Sequence, residues 1–305
     1  MAGYTLKDSG GNAIVVGDEI IENPTLYVDD ANGNDANAGA SAGAGNALKT
    51  IGAAVSKIGL VFRGTATINV SAGTYREQVS FQNVTGGKLV IDGNAAADTI
   101  ISGADTGSAT TPTRDYCFLF DNCEIGEVHI KDFRLEYSDE DGYRCNYGSG
   151  HTTLEDVEIQ NIDGKAIRLD YCGTHLLDNV DISDVAGDGV RAFGGQVVFA
   201  NNASSVVNCS KNSDYAGMGL RGFYGARFAV TVAGCSFGGA TNYDTYCVFL
   251  DNSYFIHDVT MTLSKGAVGV RARWDAVFTG KNTVTETNIT TSSTLTTGSV
   301  RNNGS

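Results

Sequence analysis

The chain has 305 residues and a formal net charge of −14, with 21 Lys and Arg against 35 Asp and Glu. That balance argues against a general nucleic-acid binder, which needs basic surface to displace counterions from phosphate. Its 39 Gly, two Pro and abundant Val, Ile, Thr and Asn favour strands joined by tight turns over helices, and no apolar run approaches the ~20 residues of a membrane helix.

Residues 1–25 read as an extended arm or hairpin, because Tyr4-Thr-Leu and Ile14-Val-Val flank the turn-forming run Asp8–Asn12. The opening MAGYTLKDSGGN has no signal-peptide apolar segment. A short strand at Leu26–Val28 then enters a Gly/Ala/Asn-rich loop. The glycines of Gly39–Gly45 lack a Gly-Lys-Ser/Thr ending, so they form no phosphate loop. A helix is predicted over 46–59, capped by Asn46, with Ile51, Val55 and Ile58 on its apolar face. It would cover the open end of a strand-rich body.

From Ala66 onward short apolar or alternating runs stop at Gly, Asn or Asp, as strands do. Five segments then repeat: GYRCNY (Gly142–Tyr147), AIRLDY (Ala166–Tyr171), GVRAFG (Gly189–Gly194), GLRGFY (Gly219–Tyr224) and GVRARW (Gly269–Trp274). Their arginines, Arg144, Arg168, Arg191, Arg221 and Arg271, are 24, 23, 30 and 50 residues apart. The last gap holds two turns, since CVFLDN (Cys247–Asn252) puts Phe249 in the arginine slot; CFLFDN (Cys117–Asn122) puts Leu119 there. A second set of columns runs in phase: Phe133, Val157 and Val180 in one, Leu135, Ile159 and Ile182 in another. Two columns sharing one period predict a solenoid whose coils stack at ~4.8 Å, roughly nine or ten of them between residues 60 and 285. The tail 285–305, nearly all Thr, Ser, Asn and Gly, reads as a loose end or a strand exchanged with a partner. The seven cysteines show no CxxC pair; Cys117 and Cys247 share a repeat position and Cys209 and Cys235 lie one period apart, so buried free thiols are expected.

Two segments carry a resemblance. Tyr27–Ile58, with its YVD and GND runs ahead of Lys49-Thr-Ile, resembles the leading segment of right-handed parallel β-helix proteins, and Ile68–Phe81, with Gly73-x-Tyr75-x-Glu77, is similar to the first coil of the pectin-lyase-like superfamily. The leading segment is common in bacteriophage tailspikes and tail fibres and in bacterial surface β-helices. The resemblance implies a right-handed parallel β-helix over residues 26–284, assembled as a homotrimer in a virion and made in the host cytoplasm, that binds or degrades a host-surface polysaccharide. Pectin methylesterases of this superfamily also carry Q-D-T and D-F-x-F-G stretches, which are absent here; Asp121 stands in a loosely similar setting.

Strand alternation turns the arginines outward if Ile167, Val190, Leu220 and Val270 face in. Like charges ~5 Å apart repel, so the column needs acidic neighbours or an anionic ligand. Asp139, Glu140, Asp141, Asp163, Asp184, Asp188 and Asp214 supply acids upstream. An Arg–carboxylate network at a subunit contact and a groove gripping sulfate, phosphate or uronate are both open readings. Tyr147, Tyr171, Phe193, Tyr224 and Trp274 follow the arginines and suit either sugar stacking or a trimer interface. Glycoside hydrolysis would need two carboxylates ~5–9 Å apart, for which Asp141, Asp163 and Asp188 are candidates. A lyase would use an Arg or Lys base beside acids holding calcium, for which Asp139 and Asp141 near Arg144 and Arg168 are the site to consider. The histidines, His129, His151, His175 and His257, are scattered and suggest no metal site. The expected function is a non-enzymatic virion appendage that binds a glycan and joins other virion proteins through residues 1–25. A lyase or hydrolase, and a structural decoration protein, are the alternatives.

Overall fold

The computed structural model describes residues 6–7, 13–14, 21–105, 111–148, 150–209, 217–239, 246–257, 259–280, 284–291, 294–295 and 300–303. Among the described residues, apart from one helix, the antiparallel contact of Leu6–Lys7 with Ala13–Ile14 and the short pair of Ile21–Glu22 with Phe62–Arg63, the strands wind as a parallel β-helix with three faces. The first face stacks Thr25–Val28, Thr65–Val70 and Thr85–Asp92 and runs on to Val277–Gly280 and Val300–Asn303. The second begins at Gly73–Tyr75 and Thr99–Ser102. Glu124–Glu136, His151–Ile162 and Thr174–Val185 bend round a corner, so each serves both faces. The third stacks Val79–Gln82, Tyr116–Asp121, Asp141–Asn146, Lys165–Asp170, Val190–Phe193, Leu220–Phe223, Tyr246–Asp251, the end of Met261–Arg273, and Thr294–Leu295.

Alternation drives the packing. Thr65–Val70 buries every second residue, and the same rhythm recurs along the coils. Phe133 faces Val157 and Val157 faces Val180, while Leu135, Ile159 and Ile182 form the next column, as the periodicity predicts. Phe255 is fully buried and stacks on Phe278 at 4.9 Å. Each such side chain contributes about 1.5–3 kcal/mol by leaving water. All seven cysteines are buried and unbridged. Cys209 lies opposite Gly239, however, and Ser205 opposite Ser236, so Cys235 falls four residues short of the position opposite Cys209 and lies beside Ser204 instead.

The helix spans Ile51–Ile58 and its cap is Thr50, not Asn46. Asn46 is held in a turn, its backbone N–H bonded to Gly43 and its carbonyl to Gly39, while Leu48 bridges to Val28. The helix buries Ile51, Ala54 and Ile58, with Val55 half-buried against the core. Its first N–H groups are taken up from outside. The Glu77 carboxylate accepts from Ile51 and Gly52 at 2.8 and 2.7 Å, and Thr50 Oγ1 accepts from Ala53. Tyr75 Oη donates to Ser71 O and accepts from Asp30 N. The Gly-x-Tyr-x-Glu run is therefore a clasp between the cap and the first coil.

Within 285–305, expected as a polar tail, the described strands continue the winding. Val284–Thr291, Thr294–Leu295 and Val300–Asn303 pair in parallel with Met261–Arg273 and Val277–Gly280 and add one rung to all three faces.

Candidate functional site

The third face brings the arginine slots into one line: Leu119 opposes Arg144, then Arg168, Arg191, Arg221, Phe249 and Arg271 succeed it rung by rung. Ile167, Val190, Leu220 and Val270 are fully buried, which turns the neighbouring arginines outward. Successive slots on the face are one strand spacing apart, ~4.8 Å.

Two solutions to that repulsion divide the column. In the first half, carboxylates and amides consume the arginines. Arg144 bonds Glu140 at 3.1 Å and Asn146 at 3.2 Å, with Asp141 at 3.7 Å; Arg168 Nε donates to Asp170 at 2.8 Å. Asp170 is not among the acids expected from the sequence because it lies two residues after its arginine rather than upstream; it shares the outward side of the same strand. In the second half, aromatic rings replace acids. Arg191 lies over Phe193 and Phe223 at 4.7 and 5.6 Å from the ring centres, Arg221 over Phe223 and Phe249 at 4.9 and 5.6 Å, and Arg273 over Phe249 at 4.9 Å. Arg271 lies over Tyr246 and donates to its hydroxyl. Asp188 approaches Arg221 at 3.6 Å, and Asp251 bonds Arg273 at 2.8 Å. Burial lowers the pKa of Arg191, with Asp188 opposing the shift.

The aromatics named from the sequence separate into two sets. Phe193 sits within its strand, two residues after Arg191. Tyr147, Tyr171, Tyr224 and Trp274 sit three residues after theirs, at the corner where the chain leaves the face, with φ of 53, 55, 52 and 54°. Other coils fill this corner with Asn83, Asn122, Gly194 and Asn252, the residue types that tolerate left-handed backbone. The four aromatics are 63, 55, 65 and 67 % exposed. Tyr147 and Tyr171 stack at 5.9 Å and 9°, giving a flat two-ring platform.

The candidate carboxylates stand in different settings. Asp163 is exposed in the turn before Lys165–Asp170. Asp141 is fully buried and opposes Lys165, which in the continuing register precedes Asp188. Two rungs, ~10 Å, therefore separate Asp141 from Asp188, with a lysine between them. Asp188 is itself buried and accepts from Met218 N at 3.0 Å. Burial pushes the Asp141 carboxyl up to about 6 against the pull of Lys165, Arg168 and Arg144, and pushes Asp188 upward also. Asp214 lies outside the described residues. Among these residues no group of three acidic, His or Cys side chains is placed to hold a metal, and Asp141 faces Lys165 and Arg144 rather than a calcium-type cage. His129 bonds Glu155 on the first face, and His175 is buried in the core against Tyr143, on the inner side of the strand that carries Arg144.

No protein-family model and no curated protein matches the chain. Among solved structures it is similar to the GH136 lacto-N-biosidase from Eubacterium ramulus, at 10% identity over 92% of this chain and 67% of that one, with a TM-score of 0.49. It is also similar to a pectin methylesterase solved in complex with a hexasaccharide, at 12% identity over 82% of this chain and 80% of that one, with a TM-score of 0.39. At these values neither likeness carries an activity across.

Proposed function

We propose that the arginine–aromatic face binds a polysaccharide lying along the solenoid axis, on a homotrimeric virion appendage of the tail-fibre type. One observation carries the glycan reading: exposed Tyr147, Tyr171, Tyr224 and Trp274 occupy a left-handed corner. An L-residue there costs about 1–2 kcal/mol, and a bulky ring gains little back at the surface. The coils with Asn or Gly show that the fold does not need rings at this corner. Stacked flat rings at the spacing of the coils suit the apolar faces of successive sugars. The virion setting is supported by the resemblance of Tyr27–Ile58 to tailspike leading segments, with residues 1–25 as the attachment arm. Deleting residues 2–25 should leave a folded solenoid that fails to join the particle.

A second reading, cleavage of the bound chain by hydrolase or lyase chemistry, is favoured by Asp141 alone, whose carboxyl near 6 lies in the range of a general acid but, being fully buried, would have to be uncovered to reach a substrate. Size-exclusion chromatography of bacterial polysaccharides incubated with the protein separates the readings. Co-elution at unchanged polymer length supports binding, shortening supports cleavage, and neither result returns the face to subunit contact in a decoration protein.

A further inference from the structure

The charge on the face is uneven. Around Arg144 and Arg168, the three cations Arg144, Lys165 and Arg168 meet three acids, Glu140, Asp141 and Asp170. Beyond Asp170 the pattern of contacts changes: Asp188 pairs with Arg221 and acts on Arg191 at longer range, and Asp251 pairs with Arg273. Among the described residues Arg191 and Arg271 form no ion pair, so, counted over those residues, each pair of arginines shares one acid and carries one positive charge in surplus. Hydrogen bonding divides the same way. Nε of Arg144 and Arg168 is bonded to Asn146 and Asp170, whereas among the described residues Nε of Arg191, Arg221 and Arg271 is buried without a hydrogen-bond partner, leaving the outer edge of each guanidinium for a ligand.

The rings keep this surplus in place. Phe193 and Phe223 stack at 4.9 Å and 13°, and Phe223 meets Phe249 at 6.1 Å, so the guanidinium groups rest on a continuous aromatic floor. A guanidinium held flat against a ring loses little further freedom when its edge forks onto an oxyanion. Phe249, in the slot that would hold the intervening arginine, is 4 % exposed and separates the two charges. The register Arg191, Arg221, Phe249, Arg271 spans three strand spacings, ~14 Å.

We propose that this half of the face carries two anion subsites, one at Arg191 with Arg221 and one at Arg271, and that the bound polysaccharide is acidic, with carboxylate or sulfate groups reaching both. The inference rests on the glycan reading above. It assigns Arg144 and Arg168 to the fold and Arg191 and Arg271 to the ligand.

Affinity electrophoresis of the full chain through gels containing alginate, dextran sulfate or neutral dextran tests it. Retardation is expected from alginate, dextran sulfate or both, weakening with added salt, and none from dextran. Arg191→Gln with Arg271→Gln should weaken the retardation more than tenfold. Arg144→Gln with Arg168→Gln should change it less than twofold, with circular dichroism confirming that both variants fold. Which polymer is retained identifies carboxylate or sulfate as the group recognised. Unchanged retardation of the Arg191/Arg271 variant, equal loss in the Arg144/Arg168 variant, or passage of the protein unretarded through both anionic gels overturns the proposal. Retention by dextran that Tyr171→Asn weakens and the arginine variants do not would overturn the anion subsites while leaving the glycan face standing.

Discussion

Replacing Asp141 with Asn should remove a pH dependence of stability. The carboxyl is fully buried, neither oxygen has a hydrogen-bond partner, and Arg144 and Lys165 stand at 3.7 and 3.9 Å. Burial outweighs those cations and lifts the pKa from an ordinary 3.8 to about 6. Between these values the folded protein holds a proton that the unfolded chain has released. Stability from this group is thus present in full below about 3.8 and is lost as pH rises through about 6. A shift of roughly two units at about 1.4 kcal/mol each amounts to about 3 kcal/mol. Asn does not titrate, so the variant lacks this slope. Other carboxyls raised by burial, such as Asp188, titrate in both proteins and cancel in the difference.

Equilibrium urea denaturation followed by far-ultraviolet circular dichroism between pH 4 and 8 measures both proteins. Wild type minus variant should fall by about 2.4 kcal/mol from pH 4 to pH 7, because at pH 4 the unfolded carboxyl is still partly protonated. Parallel curves would refute the reasoning. A difference that grows with pH would show that Lys165 and Arg144 outweigh desolvation and that Asp141 is held as an anion.

Tyr171→Asn gives its corner the residue of positions 83, 122 and 252 and should raise thermal stability by up to about 1 kcal/mol while weakening glycan retention; a loss of stability would make the ring structural. Glu77→Ala strips the acceptor from two helix N–H groups and should destabilise the cap by about 1–3 kcal/mol, read as faster hydrogen exchange at Ile51 and Gly52. Phe255→Ala removes a ring packed against Phe228, Phe237 and Phe278 and should cost about 3–5 kcal/mol in denaturant unfolding.

The sequence by itself determined the winding. In a parallel solenoid each residue packs against its equivalent in the next coil, so one-dimensional spacing maps onto contact. That is why Phe249 could be placed in an arginine slot, and why the column Phe133, Val157, Val180 is correct to the residue. The cap helix was legible from its apolar spacing, but its start was not. Asn46 and Thr50 are both good caps in sequence, and only the turn that holds Asn46 and the carboxylate of Glu77 chooses between them. The last rung was hidden as well, because Thr- and Asn-rich strands at 284–303 lack the apolar alternation of the coils they pair with.

Within the face, sequence located the arginines and their aromatic company and left their roles open. Partnership depends on which way each side chain leans between coils, and that is decided in three dimensions: Arg168 turns to Asp170 on its own strand, whereas Arg191 settles on Phe193 and on Phe223 of the next. The left-handed corner was equally invisible, since Tyr and Trp are not turn signals. Periodicity fixes which residues are neighbours, because stacking repeats the chain's own spacing; it does not fix backbone sign or charge pairing, because those depend on the corner geometry and on competition among neighbours within reach.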